Sequence, residues 1–247
     1  MRWFARTEQL LGPERLGQLS QARVAIFGLG GVGSFACEAL ARAGVGHLRL
    51  VDYDCVNATN LNRQLFGLHS TIGQAKVDLA SARVLDINPA CVTDPRRIFI
   101  NPETIDGLLE PEVDVVVDAI DSLSSKVLLL EAAVHRGLRV VSSMGAGGRL
   151  DGGQVFCGEL DETRICPLAR VVRQRLHRRE IRTGIRCVYS LEPAQNRLPH
   201  DLRDVGAHEG TGRERTPIGT ISYLPALFGL RVAQEVIAML TAEGTTP

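Results

Sequence analysis

An α/β protein, built on an open and mostly parallel sheet with helices on both faces, is what this sequence predicts. Three observations carry that expectation. Short β-rich runs alternate with helical stretches over the first 145 residues, a glycine-rich segment joins the first strand to the helix after it, and no internal repeat or low-complexity tract breaks the pattern.

Arg23–Phe27 reads as the first strand, and the Ala/Leu-rich Val32–Ala43 as its helix. His47–Val51 is a second strand. Gly73–Ile87 follows as a helix whose inner face is expected to hold Ala75, Leu79, Ala82, Val84 and Ile87, halted by Asn88-Pro89. The third strand falls within Cys91–Ile100, and the fourth is Val113–Asp118, apolar except at its second and last positions. A helix over Ser122–Arg136 and a fifth strand over Leu138–Ser142 complete an alternation that implies right-handed crossovers. Additional C-terminal elements continue the fold: a flexible turn at Gly145–Gly148, a strand over Gln154–Leu160, an Arg-rich helix over Pro167–Arg179, a strand over Arg186–Leu191, a mobile loop at about 193–216 and a closing amphipathic helix over Ala226–Met239.

Composition excludes other classes. With 247 residues, 45% apolar and 23% charged, and Lys+Arg equal to Asp+Glu at 28 each, the chain is ordinary globular material, neither disordered nor a wholly basic nucleic-acid coat. The six cysteines form no C-x-x-C pair, and the opening residues lack the apolar stretch of a secretion signal, so a reducing cytoplasm is expected. No membrane span is expected either, because the most apolar stretch, 218–240, is broken by Pro225, Arg231 and Glu235. All but two of the basic residues are arginine. Lys76 and Lys126 are the exceptions, which makes a lysine at a chemically useful place informative.

Gly28-Leu29-Gly30-Gly31-Val32-Gly33 follows a strand and opens a helix, the context in which glycines let a backbone turn approach a phosphate at a helix N-terminus. This makes the fold Rossmann-like, with Gly28, Gly30, Gly31 and Gly33 as nucleotide-binding candidates. Asp52 ends the second strand, where an acid accepts hydrogen bonds from ribose hydroxyls. The glycine motif alone does not separate NAD from ATP. The following segment favours ATP: Asp54, Asn60, Arg63 and Gln64, then Lys76, form a polar and cationic set suited to a triphosphate. Asp121, at the carboxyl end of the fourth strand, is the candidate Mg²⁺ ligand, with Asp118 ranked behind it as a sheet-end hydrogen-bonder.

Together these motifs, G-x-G-G-V-G, D-x-D-x-V-x-x-x-N-L-N-R-Q, G-x-x-K and D-A-I-D, resemble the ubiquitin-activating-enzyme-like adenylyltransferases, which include ThiF, MoeB and HesA. The resemblance implies that Arg63 and Lys76 contact the triphosphate, Asn60 and Gln64 assist, Asp52 binds ribose, Asp121 positions magnesium, and Arg6 reaches into a partner's site in a homodimer. Members that load sulfur-carrier proteins commonly bear two C-x-x-C zinc pairs; none occurs here, so no structural zinc is expected. The groups Pro167-Leu168-Ala169, Cys187–Glu192 and Ile218-Gly219-Thr220 resemble the branch of tRNA threonylcarbamoyladenosine dehydratases (TcdA/CsdL). That branch implies one adenylating domain over 1–247, with a nucleotide-binding half over 1–145 and an RNA-facing half over 146–247. It also implies ATP as cosubstrate, a tRNA substrate and a sulfur-relay partner protein. The alternative is adenylation of the C-terminus of a ubiquitin-like sulfur carrier.

Eight arginines between Arg164 and Arg186, among them Arg170, Arg173, Arg175, Arg178 and Arg179, face a single acid, Glu180, and suit a phosphate backbone. Cys187 alternates like a buried strand residue, and Cys166 stands where an acidic residue is expected in that branch.

Overall fold

The computed structural model describes residues 3–110, 113–195 and 218–242. Two N-terminal helices, α1 (Ala5–Leu11) and α2 (Pro13–Gln21), precede β1 (Arg23–Phe27), α3 (Gly33–Ala43), β2 (His47–Val51), α4 (Lys76–Ile87) and β3 (Val92–Arg96). Next come α5 (Ile105–Leu109), β4 (Val115–Asp118), α6 (Leu123–His135), β5 (Arg139–Ser143), β6 (Val155–Glu159), α7 (Pro167–His177), β7 (Ile185–Ser190) and α8 (Tyr223–Thr241). The seven strands form one sheet in the order β3-β2-β1-β4-β5-β7-β6, parallel throughout except that β6 runs antiparallel to β7.

Strand periodicity separates two cores. In β1, Val24 and Ile26 face one side with Leu48 and Leu50 of β2, covered by α3, α4 and α8. Ala25 and Phe27 face the other with Val116 of β4, covered by α5, α6 and α7. A strand buried on both faces needs an unbroken apolar run, and β4 reads Val-Val-Val-Asp with every residue buried. Pro95 sits in β3, an edge strand, where a missing N–H costs no ladder bond on the open side.

Of the inner face expected for α4, Ala75 and Val84 are buried and Leu79 and Ile87 pack partly buried against the same core, whereas Ala82 is exposed; Lys76, Val77 and Ala80 complete the buried side, and Ala75 stands just before the helix, paired with Cys55 in an isolated bridge. The helices α1, α2 and α5 carry no sequence expectation. Residues 196–217, most of the expected mobile loop, lie outside the described residues.

The closing helix starts earlier than expected, at Tyr223, because Pro225 falls in its first turn, where a missing N–H is tolerated. An 18-residue stretch of it has a mean hydropathy of 1.3, enough by composition for a membrane span, yet half of that stretch is buried within the protein. Leu224, Phe228, Val232, Val236 and Leu240 recur along one stripe and pack on α3 and the sheet. Core packing therefore explains its apolarity. Phe228→Ala is expected to cost about 3–5 kcal/mol in denaturant unfolding, whereas Leu230→Gln, on the exposed face, should stay within about 0.5 kcal/mol of the parent.

Candidate nucleotide-binding site

Everything the sequence reading assigns to the nucleotide lies at or beyond the carboxyl edge of β1, β2 and β4. The chain order reverses between β1 and β4, the place where an open α/β sheet leaves a crevice for ligand. Gly28 has φ +89°, a conformation that penalises a side chain, and a Cβ there would lie 2.6 Å from the Ala119 carbonyl oxygen. At Gly33 a Cβ would overlap the Gly28 carbonyl oxygen. These contacts fold the turn tightly between β1 and the segment after β4. Around Gly30 the space is open: a Cβ there would meet nothing nearer than Gln64 Nε2 at 3.8 Å. No side chain caps the start of α3, so the helix offers N–H groups and the positive end of its dipole to an anion.

Asp52 ties this turn to β2. Its Oδ2 accepts from Leu29 N at 2.7 Å, and its Oδ1 from Asp54 N at 2.9 Å. Burial pushes its carboxyl above the ordinary carboxylate range, against the opposing pull of Lys76 and the two backbone N–H groups. Lys76 is itself buried, with Nζ 3.0 Å from Asp54 Oδ2 and 3.9 Å from Asp52 Oδ2. It is delivered there by a short backbone ladder: Val56 N donates to Gln74 O, Gly73 N to Val56 O, and Lys76 N to Asp54 O. The scarce lysine thus opens α4 inside the site, paired with two acids.

Asn60 and Arg63 occupy different roles within one turn. Asn60 is buried, and its Oδ1 accepts from Asn57 N at 3.2 Å, which locks the segment. The Arg63 guanidinium donates from Nη1 to Thr59 O at 2.8 Å and to Asn62 Oδ1 at 2.9 Å. Its own Cγ and carbonyl oxygen lie 3.4 Å from where a Gly31 Cβ would stand, so this turn rests directly on the glycine loop. Arg63, Gln64, Gly30 and Gly31 are therefore brought together, as are Asp52, Asp54 and Lys76.

At the end of β4, Asp118 and Asp121 stand in different surroundings. Asp118 is fully buried; its Oδ2 accepts from Lys126 Nζ and Ser142 Oγ, each at 2.6 Å, and its Oδ1 from Ile120 N at 3.1 Å. Lys126 Nζ also donates to Ser143 O at 3.0 Å. This buried pair welds the 119–122 turn to β5 and holds Asp121, which is exposed, above it. Lys126 is a residue that sequence reasoning leaves without a role. Its signal is the same scarcity that singles out Lys76, eight residues after an acid that ends a strand.

The Gly145–Gly148 turn is pinned, contrary to the expected flexibility. Arg149, buried to 3% exposure, donates from Nη1 to the Gly145 and Gly147 carbonyls and from Nε to Glu192 O, while the Glu192 carboxylate accepts from Leu150 N and Asp151 N. Gly148 N donates to Gly219 O at 2.7 Å, and Asn62 Nδ2 to Thr220 O at 2.9 Å, so segment 218–220 bridges this turn to the Arg63 turn.

The arginine run divides. Arg173 turns inward and donates to Leu160 O, Thr163 O and Thr163 Oγ1; Arg179 pairs with Glu131 at 2.9 Å and Arg186 with Glu235 at 2.9 Å. Arg175 is half-buried, while Arg164, Arg170, Arg178 and Arg182 are exposed. Cys166 and Cys187 are buried, and burial pushes the Cys187 thiol far up, which makes it a poor nucleophile. Arg6 is exposed on α1. No group of three or more metal-ligating side chains occurs among the described residues.

Compared with known proteins, residues 4–247 match the ThiF family. The chain belongs to the ThiF family. It is 39% identical to a tRNA threonylcarbamoyladenosine dehydratase of Bacillus subtilis, over 95% of this chain and 92% of that one. Among solved structures it is similar to the Escherichia coli tRNA N6-threonylcarbamoyladenosine dehydratase TcdA in complex with ATP, at 30% identity and a TM-score of 0.85, covering 98% of this chain and 95% of that one. The same E. coli protein in complex with AMP gives 29% identity and a TM-score of 0.86, with the same coverage.

Two outcomes follow for this ThiF-family site. The folded chain holds the Asp52 proton more tightly than the unfolded chain does, so Asp52 favours folding below the ordinary carboxylate pKa of about 3.9, and that advantage is lost as pH rises through its raised folded value. In urea titrations across the acid range, the stability of the parent relative to Asp52→Asn should therefore fall as pH rises. Lys126→Met strands the Asp118 carboxylate in the core and is expected to cost about 3–5 kcal/mol in the same assay.

Proposed function

We propose that this protein is an ATP-dependent enzyme that dehydrates and cyclises threonylcarbamoyladenosine beside the anticodon of tRNA, through an acyl-adenylate. One observation carries the reading. The glycine turn, Asp52, Lys76 and the Arg63 turn converge at the switch between β1 and β4, in a chain similar along nearly its whole length to named dehydratases and to one solved with ATP and with AMP.

A carboxylate is a poor acyl donor because hydroxide is a poor leaving group. In the first step a carboxylate oxygen of the threonylcarbamoyl group attacks the α-phosphorus of ATP, and the bond to pyrophosphate breaks. In the second, the urea group of the same substituent attacks the acyl carbon and AMP departs, carrying the oxygen that was removed. The sum is loss of water at the expense of ATP. Ring closure is intramolecular, with an effective molarity of about 10⁵ M or more available to it, so the chain must align and neutralise and needs no nucleophile of its own.

The assigned tasks follow from position. The N–H groups of the glycine turn and of α3 hold phosphate oxygens, and Asp52 accepts from ribose. Lys76 and Arg63 exchange their present acceptors, Asp54 and the Thr59 and Asn62 oxygens, for the triphosphate, which carries about four negative charges and attracts a cation more strongly than one carboxylate or a neutral carbonyl does. Asn60 keeps the turn in shape, and Gln64 reaches the phosphates beside Gly30. A single exposed carboxylate suits Mg²⁺, which binds through one or two carboxylates plus phosphates and keeps much of its water. Asp121 would hold it, and the ion would offset charge on the departing pyrophosphate.

The finer parts of this reading have separate support. The exposed Arg164, Arg170, Arg178 and Arg182 offer a tRNA backbone four charges, while Arg173, Arg179 and Arg186 serve the fold, so the RNA-facing half is proposed to be 146–247 and the nucleotide-binding half 1–145. A homodimer in which exposed Arg6 enters the partner's site, a cytoplasmic location and a sulfur-relay partner rest on the family resemblance. Adenylation of a sulfur carrier gains no comparable observation.

Nucleoside mass spectrometry of threonylcarbamoyladenosine-bearing tRNA, incubated with ATP and purified protein, tests the conclusion. The cyclic nucleoside should form with the parent. Arg63→Ala and Lys76→Ala should each slow it by about 10²–10³-fold, and unchanged rates in both would exclude the proposed cradle.

A further inference from the structure

The Gly145–Gly148 turn follows β5, next in the sheet to the strand end that leads to Asp121, and it takes no part in the steps proposed above. A buried cation holds it. Arg149 is 3% exposed; its Nε and Nη1 bond the Glu192, Gly145 and Gly147 carbonyls, and its Nη2 is buried with no hydrogen-bond partner. Taking a guanidinium from water with one nitrogen unpaired costs stability, so stability alone does not account for Arg149. What it fixes is the direction of two peptide groups.

In a trans peptide the carbonyl and the following N–H point in opposite directions. The Gly145 and Gly147 carbonyls both point at Arg149 Nη1, so the Ala146 and Gly148 N–H groups point away from it. Gly148 N shows where that direction leads: it donates to Gly219 O at 2.7 Å, and the next carbonyl, Thr220 O, accepts from Asn62 beside Arg63. Ala146 N, turned to the same side, bonds no group among the described residues. The two sides of the turn also face different layers. A Cβ on Gly145 would stand 3.5 Å from Arg149 Nη1 and 3.6 Å from Cys166 Sγ, at the start of α7, whereas the Ala146 methyl packs against the core beneath α3 and α8. The free N–H thus turns away from α7, toward the layer in which α3 begins.

We propose that the Ala146 N–H holds the acyl oxygen of the adenylate during ring closure, and that Arg149 is the positioning residue that aims it. The inference rests on the acyl-adenylate reading above and deepens it, because it gives the second step a donor outside the triphosphate cradle. As the urea group bonds to the acyl carbon, the carbonyl π electron pair moves onto that oxygen. It returns as the bond to AMP breaks; AMP leaves with the electrons of that bond, and the proton of the attacking group passes to water. Charge on the acyl oxygen grows only here. In adenylation the same oxygen begins as half of a carboxylate and ends as a neutral carbonyl, so a donor beside it gives the first step no advantage. A preoriented N–H is worth most where charge develops.

Lactic acid in place of Ala146 exchanges this N–H for an ester oxygen and leaves every side chain present. Single-turnover reactions of the full chain with ATP and threonylcarbamoyladenosine-bearing tRNA read the steps separately, since pyrophosphate release reports adenylation and AMP release reports closure. In the ester variant, calorimetric ATP uptake and pyrophosphate release should match the parent, while closure slows by about 10²–10³-fold and the acyl-adenylate accumulates. Arg149→Met should show the same split, and Arg149→Lys, which keeps a cation beneath the two carbonyls, should recover most of the closure rate. The ester variant decides the matter even if Arg149→Met does not fold. Closure at the parental rate in it would overturn the proposal, as would an equal slowing of pyrophosphate release, which would make the turn a support for the whole site. A parent that releases no pyrophosphate with this tRNA removes the acyl-adenylate reading, and this inference with it.

Discussion

The site depends on how one buried carboxylate is held. Asp52 bonds the glycine turn through Leu29 and its own strand end through Asp54, and it lies within ionic reach of Lys76. Three elements with no sequence proximity, the β1–α3 turn, the end of β2 and the start of α4, are thereby fixed relative to one another. Taking that carboxylate from water carries a penalty, visible in its raised pKa, and the lysine and backbone N–H groups offset it. A group held by two backbone N–H donors beside an ammonium is oriented before any ligand arrives, which is the arrangement that makes electrostatic binding effective.

A second buried pair does the equivalent work one strand over. Lys126 and Asp118 are both fully buried, and together with Ser142 and Ser143 they join the turn after β4 to the end of β5. Buried ion pairs seldom add stability over an apolar replacement, so orientation of the turn that carries Asp121 is the better account of this one. From β5 the chain enters the Gly145–Gly148 turn, braced by Arg149 and Glu192, and segment 218–220 leads back to Asn62 beside Arg63. The cationic and acidic members of the site are thus linked by hydrogen bonds around the mouth of the crevice.

Much of this is legible in the residues, and the reasons differ by element. Strands β1 and β2 can be read to the residue because β-rich runs bounded by glycine or charge leave little ambiguity, and the glycine loop is legible from its four glycines between a strand and a helix, two of which the structure leaves no room to replace. On α4 the expected inner face fails only at Ala82, an alanine small enough to sit on either side, while the bridge between Cys55 and Ala75 starts the helix at Lys76 and not at Gly73. Pairing of β5 with β7, leaving β6 outermost, depends on contacts between distant segments that no local pattern encodes. Charge runs are the least informative: Arg173 and Arg170 look alike in sequence, but one is spent on the carbonyls of Leu160 and Thr163 while the other faces solvent. Lys126 escapes notice because an Asp–Lys spacing of eight becomes an ion pair only when a turn brings the helix back over the strand end.

In the proposed reaction this cradle presents the α-phosphorus of ATP to a carboxylate oxygen of the substrate. Oxygen-18 placed in both carboxylate oxygens of threonylcarbamoyladenosine on tRNA follows that oxygen directly. After one turnover one labelled atom is expected in the phosphate of AMP and none in pyrophosphate. Label recovered instead in inorganic phosphate, or in water with unlabelled AMP, would contradict it.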